Sequence, residues 1–193
     1  MDRKEADKPS EKQKLQKSVQ VMYASKMTLE KPHLNQRLSI ILKKVPDPEI
    51  PVLSILDLGV VRYAEIEGDN KAIIKIIPTY SGCPAMDVIE DDIKIALKEA
   101  GFEPVVELVL SPAWSSDFIT KEGRKAMQEY GIAPPLDATA DKAALLGEEK
   151  ILKCTNCGSK NTHLVSQFGS TACKALFKCN DCGEPFDYFK CLI

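Results

Sequence analysis

Two matching cysteine knuckles, Cys154-Thr155-Asn156-Cys157-Gly158 and Cys179-Asn180-Asp181-Cys182-Gly183, narrow the folds open to this chain more than any other feature. A C-x-x-C step places two sulfurs about one edge of a tetrahedron apart. The glycine after it lets backbone amides turn toward the thiolates. Two such steps close a four-sulfur cage around a metal. The 21 residues between the knuckles leave room for a hairpin. So small a tail buries too little apolar surface to fold unaided, so metal binding supplies folding energy. Cys154, Cys157, Cys179 and Cys182 are the expected ligands of a structural metal, with zinc as the default.

The seven cysteines are an odd number, and four of them stand in the two pairs. No signal-peptide pattern opens the chain, so this usage favours metal over disulfides and a reducing cytoplasm. A formal net charge of −2 gives no whole-chain signal for nucleic acid or an anionic membrane. No apolar run reaches the ~18 residues of a membrane span. Lys153, Lys160, Lys174 and Lys178, with Phe177, Phe186, Tyr188 and Phe189, admit a nucleic-acid-binding ribbon. The strong basic stripe of such modules is missing, and the aromatics are more simply a hairpin core. Rubredoxin-type iron sites also use two such knuckles, which keeps electron transfer through a tail iron as an alternative. His163 is expected at the surface, because four sulfurs already complete the tetrahedron. Cys173 and Cys191 exceed what one metal needs, and are either hairpin filler or a second thiol pair handling metal or electrons.

A second constellation lies at Thr79-Tyr80-Ser81-Gly82-Cys83-Pro84. A run of β-formers, Ala72 to Ile77, leads into it and a helical pattern leaves it. Gly82 supplies a permissive turn backbone, and Pro84 suits a helix start. Cys83 then sits at or just before a helix N-terminus, where free N–H groups and the dipole favour the thiolate. The alternative is a buried small hydrophobe. Asp47 and Glu49 lie in the proline-stiffened stretch Asp47-Pro48-Glu49-Ile50-Pro51, and Asp57 follows in Asp57-Leu58-Gly59. These acids are either turn and cap residues or a polar cluster beside Cys83.

The rest of the chain supplies the frame. Residues 1–31 are charged and poor in apolar groups, the pattern of a mobile leader. Leu34 to Val45 carries one apolar stripe and reads as an amphipathic helix. Val60–Glu67 and Lys71–Thr79 read as a hairpin about Gly68-Asp69-Asn70, Pro84–Ala100 as a helix and Glu103–Leu110 as a third strand. This helix-strand-strand-helix-strand order predicts an α+β domain, one small mixed sheet covered by two helices. An extension to residue 135 follows, with Trp114 as its expected anchor and a short helix capped by Thr120. A linker over 136–150 leads to the β ribbon at 151–193, which leaves 32–135 as the α+β domain with its extension.

Asp47-Pro48-Glu49-Ile50-Pro51, Asp57-Leu58-Gly59 and the Cys83-Pro84 turn resemble the MIP18-type domain, whose members include iron–sulfur assembly factors. The fuller set is similar to the family of D-type components of bacterial phenylacetyl-CoA epoxidase systems. It adds Pro78 to Pro84, Pro112-Ala113-Trp114, Phe168 to Leu176 and Glu184 to Cys191. The resemblance implies aerobic phenylacetate catabolism, where a di-iron oxygenase fed by a flavin and iron–sulfur reductase epoxidises the ring of a CoA thioester. It implies a maturation or repair factor for that complex, not an enzyme. Partners would be the oxygenase or reductase subunits, with a homo-oligomer left open. Carried over by position, Cys83 matches the family's cysteine, and Asp47, Glu49, Asp57 and Thr79 its polar neighbours. Together with Cys173 and Cys191 they form the candidate set for transient iron or an iron–sulfur cluster. Against independent catalysis, the sequence shows no histidine-based nucleophilic dyad, phosphate loop or dinucleotide fingerprint.

Overall fold

The computed structural model describes residues 31–136 and 151–190. The proposed leader to residue 30, most of the linker and Cys191 lie outside them. Asn35 starts the first helix: its side chain accepts from the Arg37 amide, and α1 runs Gln36–Leu42 with Leu38 and Leu42 buried. Leu34 is not in this helix. With His33 it forms a two-residue strand, β1 (His33–Leu34), parallel to the strand β2 (Val61–Glu67). Two residues show no periodicity of their own, so only tertiary pairing reveals them. His33 stacks on Tyr63 at 5.1 Å and bonds Glu65 at 2.5 Å, which ties this short strand to the sheet.

β2 pairs antiparallel with β3 (Lys71–Ile76), and β3 pairs parallel with β4 (Glu103–Leu108), giving the mixed sheet β1-β2-β3-β4. Helix α2 (Ala85–Glu99) joins β3 to β4 and turns Ile89, Ile93 and Leu97 inward. These side chains meet Leu38, Leu42, Ile74 and Ile76 in the main core. Helices on an apolar sheet face give the expected α+β layer.

The extension packs back onto this layer. Trp114 donates Nε1–H to the Leu58 carbonyl at 3.0 Å and is buried, so it is an anchor. A short 3₁₀ turn, Ser116–Phe118, precedes α3 (Lys121–Tyr130), whose Thr120 cap accepts from the Gly123 amide at 2.9 Å. After α3 the chain enters a second sheet. Strand β5 (Ile132–Ala133) pairs parallel with β8 (Pro185–Phe189), which pairs antiparallel with β7 (Lys174–Cys179), and β7 with β6 (Thr162–Ser166). Phe177, Phe186 and Tyr188 form the ribbon core, whereas Phe189 and Cys173 belong to the core of the α+β layer. Phe189 meets Trp114 edge-on at 6.0 Å. The ribbon is thus packed against the first module through side chains and through a shared sheet. Among the described residues no helix is long and apolar enough to cross a membrane.

Candidate functional site

The ribbon quartet is built by its knuckles. The Gly158 and Gly183 amides each close a turn on the Cys154 and Cys179 carbonyls at 3.0 Å. This brings Cys154 Sγ to 3.7 Å from Cys182 Sγ and Cys157 Sγ to 3.6 Å from Cys179 Sγ. All four sulfurs lie within 4.8 Å of one another. A tetrahedron with metal–sulfur arms of about 2.3 Å has edges of about 3.8 Å, so the donor set fits a metal of zinc size. Backbone N–H groups of Cys182 and Asp181 hold the Cys179 thiol down to about 7. Asp181 locks the two knuckles together, accepting from Ser159 and from Asn161 Nδ2 at 2.7 Å. Such outer partners orient the ligands.

The second site lies between the modules. A small cavity is lined by Asp47, Glu49, Thr79, Cys83 and Cys173, backed by the apolar Leu58, Val60, Met86, Ile89 and Phe189. Each wall has a local cause. The prolines stiffen the loop carrying Asp47 and Glu49. Asp47 Oδ1 accepts from the Glu49 and Ile50 amides at 2.9 and 2.8 Å and folds that loop around itself. Cys83 stands on the turn between β3 and α2, half-buried. Cys173 arrives from the ribbon just before β7 and is buried. Its thiol donates to Glu49 Oε2 at 3.1 Å, and Thr171 Oγ1 lies 3.0 Å from the sulfur. Lys174, also buried, donates Nζ–H to the Glu49 carbonyl at 3.0 Å.

The electrostatics differ from the helix-start argument. The Cys83 thiol is raised, not lowered, because burial and the nearby Glu49 outweigh the Ala85 amide and the Tyr80 and Thr79 side chains. Burial pushes the Cys173 thiol up to about 12, with the hydrogen-bonded Glu49 adding to it. Tyr80 is likewise pushed up to about 12 by burial and by Cys83. Asp47 is raised by burial beyond what the Ile50 and Glu49 amides recover. Both thiols are therefore protonated near neutrality, and a metal would have to displace their protons.

Of the residues singled out in the sequence, Asp47, Glu49, Thr79, Cys83 and Cys173 come together here. Asp57 does not line this cavity. Its carboxylate accepts from Lys43, from Ser54 Oγ at 2.6 Å and from Thr120 Oγ1 at 3.0 Å, tying α1, its own turn and α3. That is the turn-and-cap role. Cys191 lies outside the described residues, and His163 is exposed on β6. Sequence reasoning missed Tyr80, Thr171 and Lys174. Tyr80 stands in the same turn as Cys83 and was legible as a neighbour, whereas Thr171 and Lys174 reach the site only through the packing of the modules.

Two family profiles match the chain, one over each module. Residues 35–109 match the profile described as iron-sulfur cluster assembly protein, and residues 138–190 that of the PaaD zinc beta ribbon domain. The chain is 48% identical over 153 residues, 79% of its length and 90% of the relative's, to a protein of Escherichia coli (strain K12) named as the D-type component of 1,2-phenylacetyl-CoA epoxidase. A Porphyromonas gingivalis protein named Fe-S protein maturation auxiliary factor is 33% identical over 47% of this chain and 84% of its own length. The Bacillus subtilis Fe-S protein maturation auxiliary factor YitW is 31% identical over 45% of this chain and 85% of its own length.

Proposed function

Because the chain belongs to the family of D-type phenylacetyl-CoA epoxidase components, we propose that it is a non-catalytic accessory factor that holds iron or an iron–sulfur unit and passes it to the multicomponent di-iron epoxidase of phenylacetate catabolism. The observation that carries this reading is the cavity lined both by Cys83 of the assembly domain and by Cys173 of the ribbon, with Glu49 and Asp47. A transfer site needs donors that bind yet release. Thiols kept protonated by burial bind metal only while conditions favour losing their protons, which makes holding conditional. The ribbon quartet has the opposite character. Its four sulfurs already stand at tetrahedral spacing, which suits a permanent structural zinc. Phe177, Phe186 and Tyr188 are buried in the ribbon core, so they offer no stacking platform for bases. Partners under this reading are the oxygenase or reductase subunits, in the cytoplasm.

The test is Cys83→Ala in cells that rely on the epoxidase for growth on phenylacetate. The reading expects a folded, zinc-bearing protein and a large loss of epoxidase activity, with under-loaded iron in the oxygenase. Full epoxidase activity in that strain would refute it. A red, iron-bearing ribbon in place of a colourless one with one zinc would move the reading to electron transfer.

A further inference from the structure

We infer that the cavity between the modules binds one divalent transition-metal ion, held by the thiolates of Cys83 and Cys173 and the carboxylate of Glu49. This rests on the transfer reading above and fixes the cargo as a single ion, not a cluster. Size is the first argument. As it stands the cavity admits about one water-sized guest.

The donor set is the second. Two sulfurs and one carboxylate oxygen suit a borderline divalent ion such as ferrous iron, whereas magnesium and calcium take oxygen sets. Three protein ligands leave a fourth position for water or an acceptor's ligand. Open three-ligand sites exchange, unlike the closed ribbon quartet.

The arrangement of the donors is the third. The proton on Cys173 points at Glu49 Oε2 over 3.1 Å, so sulfur and carboxylate already face a shared cation position. Lys174 Nζ bonds the Glu49 main-chain carbonyl at 3.0 Å and does not compete for its carboxylate. Among the described residues only the ribbon quartet has donor atoms all within 4.8 Å of one another. The three cavity donors are spread wider than that, so an entering ion has to draw Cys83 onto the Cys173–Glu49 pair. Two thiol protons leave to solvent, two metal–sulfur bonds form and no electron moves. Because Cys173 comes from the ribbon, the assembly domain alone supplies only one of the two sulfurs.

The experiment is an anaerobic titration of the full chain, ribbon zinc in place, with cobalt(II) and then ferrous iron. The proposal expects one further ion per chain and thiolate-to-cobalt charge-transfer absorption. Cys83→Ser and Cys173→Ser should each remove about half of that intensity. Glu49→Gln should keep the intensity and weaken affinity at least tenfold. Zinc content and circular dichroism check each variant's fold. Unchanged cobalt binding in Cys173→Ser overturns the proposal, as does equal binding in the double variant, which marks an adventitious ion only. Several irons with matching sulfide per chain also overturn it but leave the transfer reading standing. That reading falls separately, if Cys83→Ala supports full epoxidase activity in cells.

Discussion

Replacing Gly59 with alanine adds one methyl group where the fold has no room for it. Gly59 has φ +75°, and a Cβ built there would stand 2.5 Å from Phe118 Cβ and 2.6 Å from the Phe118 carbonyl oxygen. Ordinary carbon contacts lie at about 3.5–4.0 Å. The left-handed backbone costs a non-glycine residue roughly 1–2 kcal/mol. Forcing Phe118 away adds the usual penalty of overpacking, about 1–3 kcal/mol. The expected loss is about 2–5 kcal/mol, a large share of a typical domain's stability of about 5–15 kcal/mol. Gly68 is the matched control, with φ +62° and nothing within 4 Å of its added Cβ. There only the backbone penalty of about 1–2 kcal/mol applies. Both replacements change the unfolded chain alike, so their difference isolates the collision. Urea unfolding followed by fluorescence reads it, since Trp114 is the sole tryptophan and bonds the Leu58 carbonyl beside Gly59. Equal midpoint shifts for the two variants at unchanged slope would refute the close approach of the extension to the Asp57-Leu58-Gly59 turn.

The two buried acids should respond oppositely to pH. Burial alone would raise Asp57, but hydrogen bonds from Lys43, Ser54 and Thr120 outweigh it and hold the carboxyl below its ordinary range. Its contribution is therefore present above about pH 4 and lost as pH falls through the depressed value, and Asp57→Ala should cost about 2–3 kcal/mol at neutral pH. Asp47 is raised by burial, so its contribution is full below about pH 4 and lost as pH rises through the raised value. Asp47→Asn keeps the oxygen that accepts both amides and should be neutral to slightly stabilising at pH 7; urea midpoints across pH check both variants. Cys83 alkylation should be slow at neutral pH and keep accelerating above the ordinary thiol range, and a plateau below pH 8 would contradict the raised thiol. Cys154→Ser should release the ribbon's metal and strip amide-exchange protection from β6, β7 and β8; retained protection would show a ribbon that folds without metal.

The α1–β2–β3–α2–β4 order was legible because each element has its own period, and α3 because Thr120 caps it. Strands β1 and β5 were not, since two residues carry no pattern and exist only as partners of β2 and β8. The ribbon quartet was legible from spacing alone, being two local motifs. The cavity was legible only in pieces. Cys173 and Glu49 meet across 124 positions of sequence, so their contact is a product of how the modules pack. Cys83 stayed open between two readings because the helix start favours the thiolate, whereas the burial and the Glu49 charge that prevail against it come from tertiary packing. Asp57 stands ten residues after Asp47 in a shared motif yet serves a different network, that of α1 and α3.

X-ray absorption at both the zinc and iron edges of the full chain, loaded anaerobically with ferrous iron, addresses the division between sulfurs that hold and sulfurs that hand over. The zinc edge should show four sulfurs at about 2.3 Å. The iron edge should show two sulfurs with lighter oxygen neighbours and no second iron. An iron–iron vector, or an iron shell of four sulfurs, would contradict the account.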